Sequence, residues 1–217
     1  MKDGVSTTPV GTPVAEYAID EALVSRLLAD QHADLARLPL RMVDAGWDNA
    51  MFRLGDDFAV RLPRRAAAAE LIAHEQRWLP RLSKRLSLPV PTPHRIGKPA
   101  LGYPCRWSVV PWIRGLTADQ NQPRASQAAR FAGFLRSLHV PPPADAPANA
   151  VRGGPLRQRA LVVGEKMRRL AGRTGLITPR LRQIWNEALD APLDGAATWL
   201  HGDLHPRNVL VENGVIT

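Results

Sequence analysis

The spacing of hydrophobic and polar positions changes period several times along the chain. Residues 1 to about 17 are rich in Thr, Pro, Gly and Val without any period, which predicts a mobile arm. Asp20 then stands where an N-cap belongs, ahead of Leu23, Leu27 and Leu28, and predicts a helix that ends near His32. From Pro39 to Pro63 the pattern shortens to strand-like alternation. Leu40, Met42 and Val43 lead to Asp44-Ala45-Gly46, Trp47 to Leu54 follow, and the turn Gly55-Asp56-Asp57 leads into Phe58 to Pro63. Alternation bounded by such turns predicts a hairpin-rich sheet.

After Pro63 the period becomes helical, with Leu71, Glu75, Trp78, Leu79 and Leu82 falling on one face. A carboxylate inside an apolar stripe is costly unless paired. Glu75 therefore wants a cation, and Arg61, interior to the preceding strand, is the natural partner; a Glu75 turned to solvent at the edge of the stripe is the competing arrangement. Leu88 to Pro99 is proline-punctuated and extended, and Trp107 to Pro111 is an apolar strand running into Trp112-Ile113-Arg114-Gly115. Beyond Gly115 the composition turns helical. Helices are expected over Pro123–His139, with Ala128, Phe131, Leu135 and Leu138 on one side, and over Leu156–Leu170 and Pro179–Leu189, with a Pro/Ala surface loop at 140–150. Near the end, Trp199-Leu200 and Val209-Leu210-Val211 read as strands on either side of a short polar loop, and Glu212-Asn213-Gly214 closes a hairpin. The whole is α+β: a small, mostly antiparallel sheet with one main helix, followed by a helical part.

Composition narrows the class. At 45% hydrophobic and 23% charged, the 217 residues are ordinary for a globular protein. No apolar run approaches the roughly 18 residues of a membrane span, the N-terminus lacks a secretory core segment, and Cys105 is the single cysteine. A reducing cytoplasm is the expected compartment. The net charge of +9 raises a nucleic-acid hypothesis. Its basic residues are scattered as pairs such as Arg64-Arg65, Lys84-Arg85 and Arg168-Arg169, with neither a basic run nor aromatic interleaving. Four are lysines, so 29 minus 4 leaves 25 arginines, a compositional bias that argues against nucleic acid as a partner.

The polar loop carries the chemistry. Asp203 and Asn208 stand five positions apart, with Gly202 before the first and Pro206 between them. A lone Asp or Asn in a turn usually bonds its own backbone. A rigid loop presenting both suits phosphoryl transfer instead: the carboxylate orients a hydroxyl and takes its proton, and the amide oxygen ligates a magnesium ion on nucleotide phosphates. The string His201-Gly-Asp-Leu-His-Pro-Arg-Asn208 resembles the catalytic loop of the aminoglycoside phosphotransferase family, which is similar in fold to the protein kinases. The stretch Gly46 to Arg64 is similar to another part of that family.

The resemblance implies a two-lobe fold, with a nucleotide-binding lobe over residues 18–114, a boundary near Gly115, and a helical lobe over 115–217 bearing the catalytic loop. It implies ATP and Mg2+ as cofactors and a small-molecule hydroxyl as acceptor, an aminoglycoside among the candidates. Asp203 becomes the base and Asn208 the metal ligand. Gly46, Asn49, Arg61 and Glu75 belong to the nucleotide site, and backbone groups of Pro111, Trp112 and Ile113 face the adenine edge. His201 braces the loop, whereas His205 either braces it or meets substrate. Family members usually carry lysine where Arg61 stands, so the charge is kept and the phosphate contact differs. The family also places a second metal-binding aspartate, and then a helical segment lining the acceptor pocket, beyond the point where this sequence stops, so the sequence is expected to be the front portion of such an enzyme. A non-catalytic nucleotide-binding module is the alternative. No acidic cluster lies in 115–217 to receive a cationic acceptor.

Overall fold

The computed structural model of the chain describes residues 13–149, 152–192 and 195–217, which form two compact units. One runs to Leu138 and takes in Leu204–Thr217; the other is His139–Asp203.

In the first unit, helix α1 covers Glu21–Gln31. Asp20 caps it as expected: its backbone is extended and its carboxylate accepts the Leu23 N–H at 2.7 Å. Strands β1 (Leu40–Ala45), β2 (Asn49–Leu54) and β3 (Phe58–Pro63) follow, then helix α2 (Ala66–Leu82), β4 (Arg95–Gly97) and β5 (Trp107–Pro111). The five strands form one antiparallel sheet in the order β1-β2-β3-β5-β4.

Alternation gives the sheet two different faces. Ala50, Phe52, Leu54, Val60, Leu62, Trp107 and Val109 point to one side and pack with Leu23, Val24, Leu27 and Leu28 of α1 into the core. Burial of each large side chain there contributes roughly 1.5–3 kcal/mol. Tyr103 belongs to this core, and its hydroxyl donates to the Pro63 carbonyl at 2.8 Å. The opposite face carries Met51, Arg61 and Ser108 in register. Helix α2 docks on it, through side-chain bonds to Arg61 and Ser108.

That docking corrects the expected helical stripe. The buried residues of α2 are Ala68, Ile72, Gln76 and Trp78, while Leu71 is exposed. Of the expected stripe, Trp78 is buried and Glu75, Leu79 and Leu82 are half-buried, so the departure is confined to Leu71. The end of the expected arm is also tied down. Glu16 accepts the Ala66 N–H with its carboxylate at 2.8 Å and so caps α2, whose own N-cap residue, Arg65, makes no side-chain bond there.

A second sheet in this unit joins β6 (Leu116–Thr117), β7 (Leu210–Glu212) and β8 (Val215–Ile216) in the order β6-β7-β8. Asn213 and Gly214, at φ 53° and 77°, make the two-residue turn that the Asn-Gly pair predicts. Gly115 is needed where the chain enters this sheet: its φ is 127°, and an added Cβ would lie 2.9 Å from the Val211 carbonyl oxygen. Helix α3 (Ala128–Leu138) buries Phe134 and Leu138, and Ala128, expected on the packed side, is exposed.

The second unit contains α4 (Ala160–Ala171) and α5 (Pro179–Asp190). Thr178 caps α5, with Pro179 in its first turn. The strand expected at Trp199-Leu200 does not form. Residues 196–201 have no regular structure, and the Trp199 N–H donates to the Val140 carbonyl at 2.9 Å where a ladder would have been. Among the described residues, no helix is long and apolar enough to cross a membrane.

Candidate active site

The polar loop is divided between the units, its carboxylate end closing the second. Gly202 takes a φ of 80°, a left-handed turn that glycine adopts without strain, and so delivers Asp203 at the end of the segment. The Asp203 N–H donates to His201 Nδ1 at 3.3 Å, so the imidazole braces the loop, as the resemblance implied. Arg152 Nη2 lies 3.2 Å from Asp203 Oδ1, with both side chains about half exposed. Nothing in the sequence singled out Arg152, because it stands outside every motif in an irregular stretch.

The amide end belongs to the first unit. Pro206–Asn208 form a short 3-10 turn. His205 caps it, its Nδ1 accepting the Arg207 N–H at 3.2 Å, which is a bracing role. The Asn208 N–H donates to the His205 carbonyl, and the Ala118 N–H reaches the Pro206 and Val209 carbonyls, all at 2.9 Å. These bonds fix the turn against the end of β6, with the Asn208 residue exposed.

The sheet places the remaining candidates. Arg61 on β3 and Glu75 on α2 form the expected ion pair through two bonds, Nη1 to Oε2 at 2.8 Å and Nη2 to Oε1 at 3.3 Å. Arg61 is 15% and Glu75 31% exposed, so the pair is largely but not fully removed from water. Arg61 Nε is buried and makes no hydrogen bond.

In the turn between β1 and β2, the Gly46 N–H donates to the Asn49 carbonyl at 3.0 Å. It is therefore used inside the turn and not offered outward. The turn is gripped from β3's end, where Arg64 donates to the Gly46 carbonyl and Arg65 pairs with Asp48. Asn49 Oδ1 is buried without a partner.

At the end of β5 the register decides which backbone groups are available. Phe58 stands opposite Pro111, and the Trp112 N–H donates to the Asp57 carbonyl at 2.8 Å. Trp112 thus spends its N–H on the neighbouring strand. By the alternation of an antiparallel ladder, the Pro111 carbonyl points the other way, beyond Val109, where the pairing of β4 stops. The Trp112 ring lies under the Arg53 guanidinium at 4.2 Å, a cation–π contact that fixes this corner.

Asn208 can supply one oxygen to a magnesium ion, whose remaining shell is ordinarily phosphate and water oxygens. Among the described residues, no group of three or more His, Cys, Asp or Glu side chains could hold a metal by itself. A groove of about 680 Å³ runs along α5, lined by residues such as Arg182, Glu187 and Asp190, and contains none of the residues above.

The model of the phosphotransferase enzyme family, APH, matches residues 39–217. No curated protein matches the chain. Among solved structures, the GDP and kanamycin complex of APH(2″)-IIia is similar at 19% identity and a TM-score of 0.65, over 90% of this chain and 70% of that one. The streptomycin–ATP–APH(2″)-IIa ternary complex is similar at 17% identity and a TM-score of 0.56, over 92% and 68%. The apoenzyme of macrolide 2′-phosphotransferase MphH from Brachybacterium faecium is similar at 22% identity and a TM-score of 0.57, over 90% and 69%. At such identities the likeness is one of fold, and that fold is kinase-like.

Proposed function

The chain belongs to the phosphotransferase enzyme family, and we propose that it transfers the γ-phosphate of ATP, carried with Mg2+, to a hydroxyl of a small molecule. The observation that carries this reading is the two-bond Arg61–Glu75 pair, held on the sheet face opposite the apolar core. A guanidinium anchored by a carboxylate there is suited to hold α- and β-phosphates.

The other residues take the following roles in this proposal. The Pro111 carbonyl accepts from the exocyclic amine of adenine and the Ile113 N–H donates to the ring nitrogen beside it, while Trp112 holds the corner. Gly46 and Asn49 shape the turn near the phosphates. Asn208 gives its amide oxygen to the magnesium ion. Asp203 accepts the proton of the acceptor hydroxyl as that oxygen bonds to the γ-phosphorus, and the bond from phosphorus to the bridging oxygen breaks to release ADP. His201 keeps Asp203 oriented. The nucleotide lobe ends near Gly115 in this reading, and the setting is the cytoplasm. Relatives solved with kanamycin or streptomycin support an aminoglycoside as one acceptor to try, and the macrolide enzyme supports a second class.

The test is ADP release with ATP, Mg2+ and a panel of aminoglycoside, macrolide and simple alcohol acceptors, comparing wild type with Asp203→Asn. Loss of general-base catalysis predicts a fall of about 10²–10⁴-fold in turnover. Full turnover in the variant removes Asp203 from its role. ATP binding without transfer to any acceptor leaves the non-catalytic module as the better reading.

A further inference from the structure

Arg61 and Ser108 face each other directly across β3 and β5, so their side chains share one face of the sheet. Gln76 follows Glu75 on α2, and its Nε2 donates to the Trp107 carbonyl at 2.9 Å and to Ser108 Oγ at 3.0 Å. Gln76 is 8% exposed and Ser108 1%. Two successive residues of α2 therefore grip two neighbouring strands: Glu75 holds β3 through Arg61, and Gln76 holds β5. The contacts close a ring running from Arg61 across the ladder to Ser108, on to Gln76, along the helix to Glu75, and back to Arg61.

Without the second grip, Arg61 would follow any rocking of α2 about a single ion pair. With it, the helix cannot move relative to β3 unless it also breaks buried bonds to β5. Two atoms of this cluster, the donor Arg61 Nε and the acceptor Gln76 Oε1, are buried with no partner. Arg61 gives two of its five N–H groups to Glu75, and among the remaining three the Nε–H is enclosed within the cluster. We infer that Gln76, with Ser108 as its acceptor, is a positioning residue that sets the height of α2 over the sheet and thereby aims the Arg61 guanidinium. Its significance for nucleotide binding rests on the phosphate-facing role proposed above for Arg61.

The test separates the two claims. In protein labelled with ¹⁵N-arginine, the Arg61 Nε–H resonance, assigned by its loss in Arg61→Lys, should be well dispersed and slow to exchange with water. Gln76→Met keeps the side-chain length and removes both donors, and it should speed that exchange by about tenfold, the scale of a buried hydrogen bond. Ser108→Ala keeps the bond to the Trp107 carbonyl, so it should give a smaller change, and it serves as the probe if the Met variant does not fold. An Arg61 signal and exchange rate unchanged in a folded variant would overturn the positioning role. ATP affinity by calorimetry then tests the link to the site. Gln76→Met should weaken binding by about tenfold beside Arg61 and by less than about twofold in an Arg61→Met background. Equal weakening in both backgrounds would mean that Gln76 acts on general stability alone. If wild type binds no ATP, the proposed function fails, and the exchange measurement still decides the positioning role.

Discussion

Replacing Glu75 by Gln tests the bond on which the site reading depends. The substitution keeps the shape and one acceptor and removes the charge. Two opposite charges about 4 Å apart attract by about 4 kcal/mol at an effective dielectric of 20 and by about 1 kcal/mol in bulk water. With Glu75 at 31% exposure and Arg61 at 15%, the pair lies between those limits. Breaking a fully buried pair costs about 3–5 kcal/mol because one charge stays buried alone, whereas exposed pairs contribute at most about 1 kcal/mol. A loss of about 2 kcal/mol is therefore expected, roughly a 30-fold change in the folding equilibrium. Urea unfolding of wild type, Glu75→Gln, Arg61→Met and the double variant reads the coupling directly. The double variant should be less destabilised than the sum of the singles by about 1–2 kcal/mol. A coupling below about 0.5 kcal/mol would show that the two bonds seen between these side chains carry little energy and that Glu75 does not hold Arg61 in place.

Three further outcomes follow from the geometry. Gly115→Ala forces a side chain onto a φ of 127° and against the Val211 backbone, so it should cost at least about 2 kcal/mol in urea unfolding. Tyr103→Phe strips the Pro63 carbonyl of its donor, a phenol whose burial pushes its pKa well above the usual range, and should cost about 1 kcal/mol by the same measurement. His32 has its pKa lowered from 6.5, first by burial and then by the nearby Arg95 cation. Below pH 6.5 the unfolded chain binds the proton more readily than the folded one, so stability should fall as the pH drops from 7 toward 5. His32→Gln should flatten that part of the stability profile, and an unchanged profile would remove His32 as its cause.

Much of the first unit was legible because local rules and tertiary packing agree there. Asp20 caps α1, the alternation of β2 and β3 matches the buried face, and Asn213-Gly214 makes its turn. The Arg61–Glu75 pair could be read from one fact, a carboxylate in an apolar stripe with a cation one strand earlier. What escaped was set by partners distant in sequence. Helix α2 buries Gln76, a polar residue whose acceptor Ser108 lies 32 residues further on, and leaves Leu71 exposed. Trp199 and Leu200 have strand-forming side chains, but no neighbouring strand came to pair with them. Arg152 met Asp203 across 51 residues of chain.

In the proposed phosphate-holding role, an arginine at position 61 offers what a lysine would not. A lysine has one nitrogen, so a lysine held by Glu75 must share that atom between carboxylate and phosphate. The guanidinium divides the work: Nη1 and Nη2 each give one N–H to an oxygen of Glu75, and three of its five N–H groups remain. A forked cation serves the proposed function only if its plane is fixed, because rotation would exchange the N–H groups holding the carboxylate with those left over. The second grip of α2 on β5 answers that need, which makes the polar ring around Arg61 the natural companion of an arginine there.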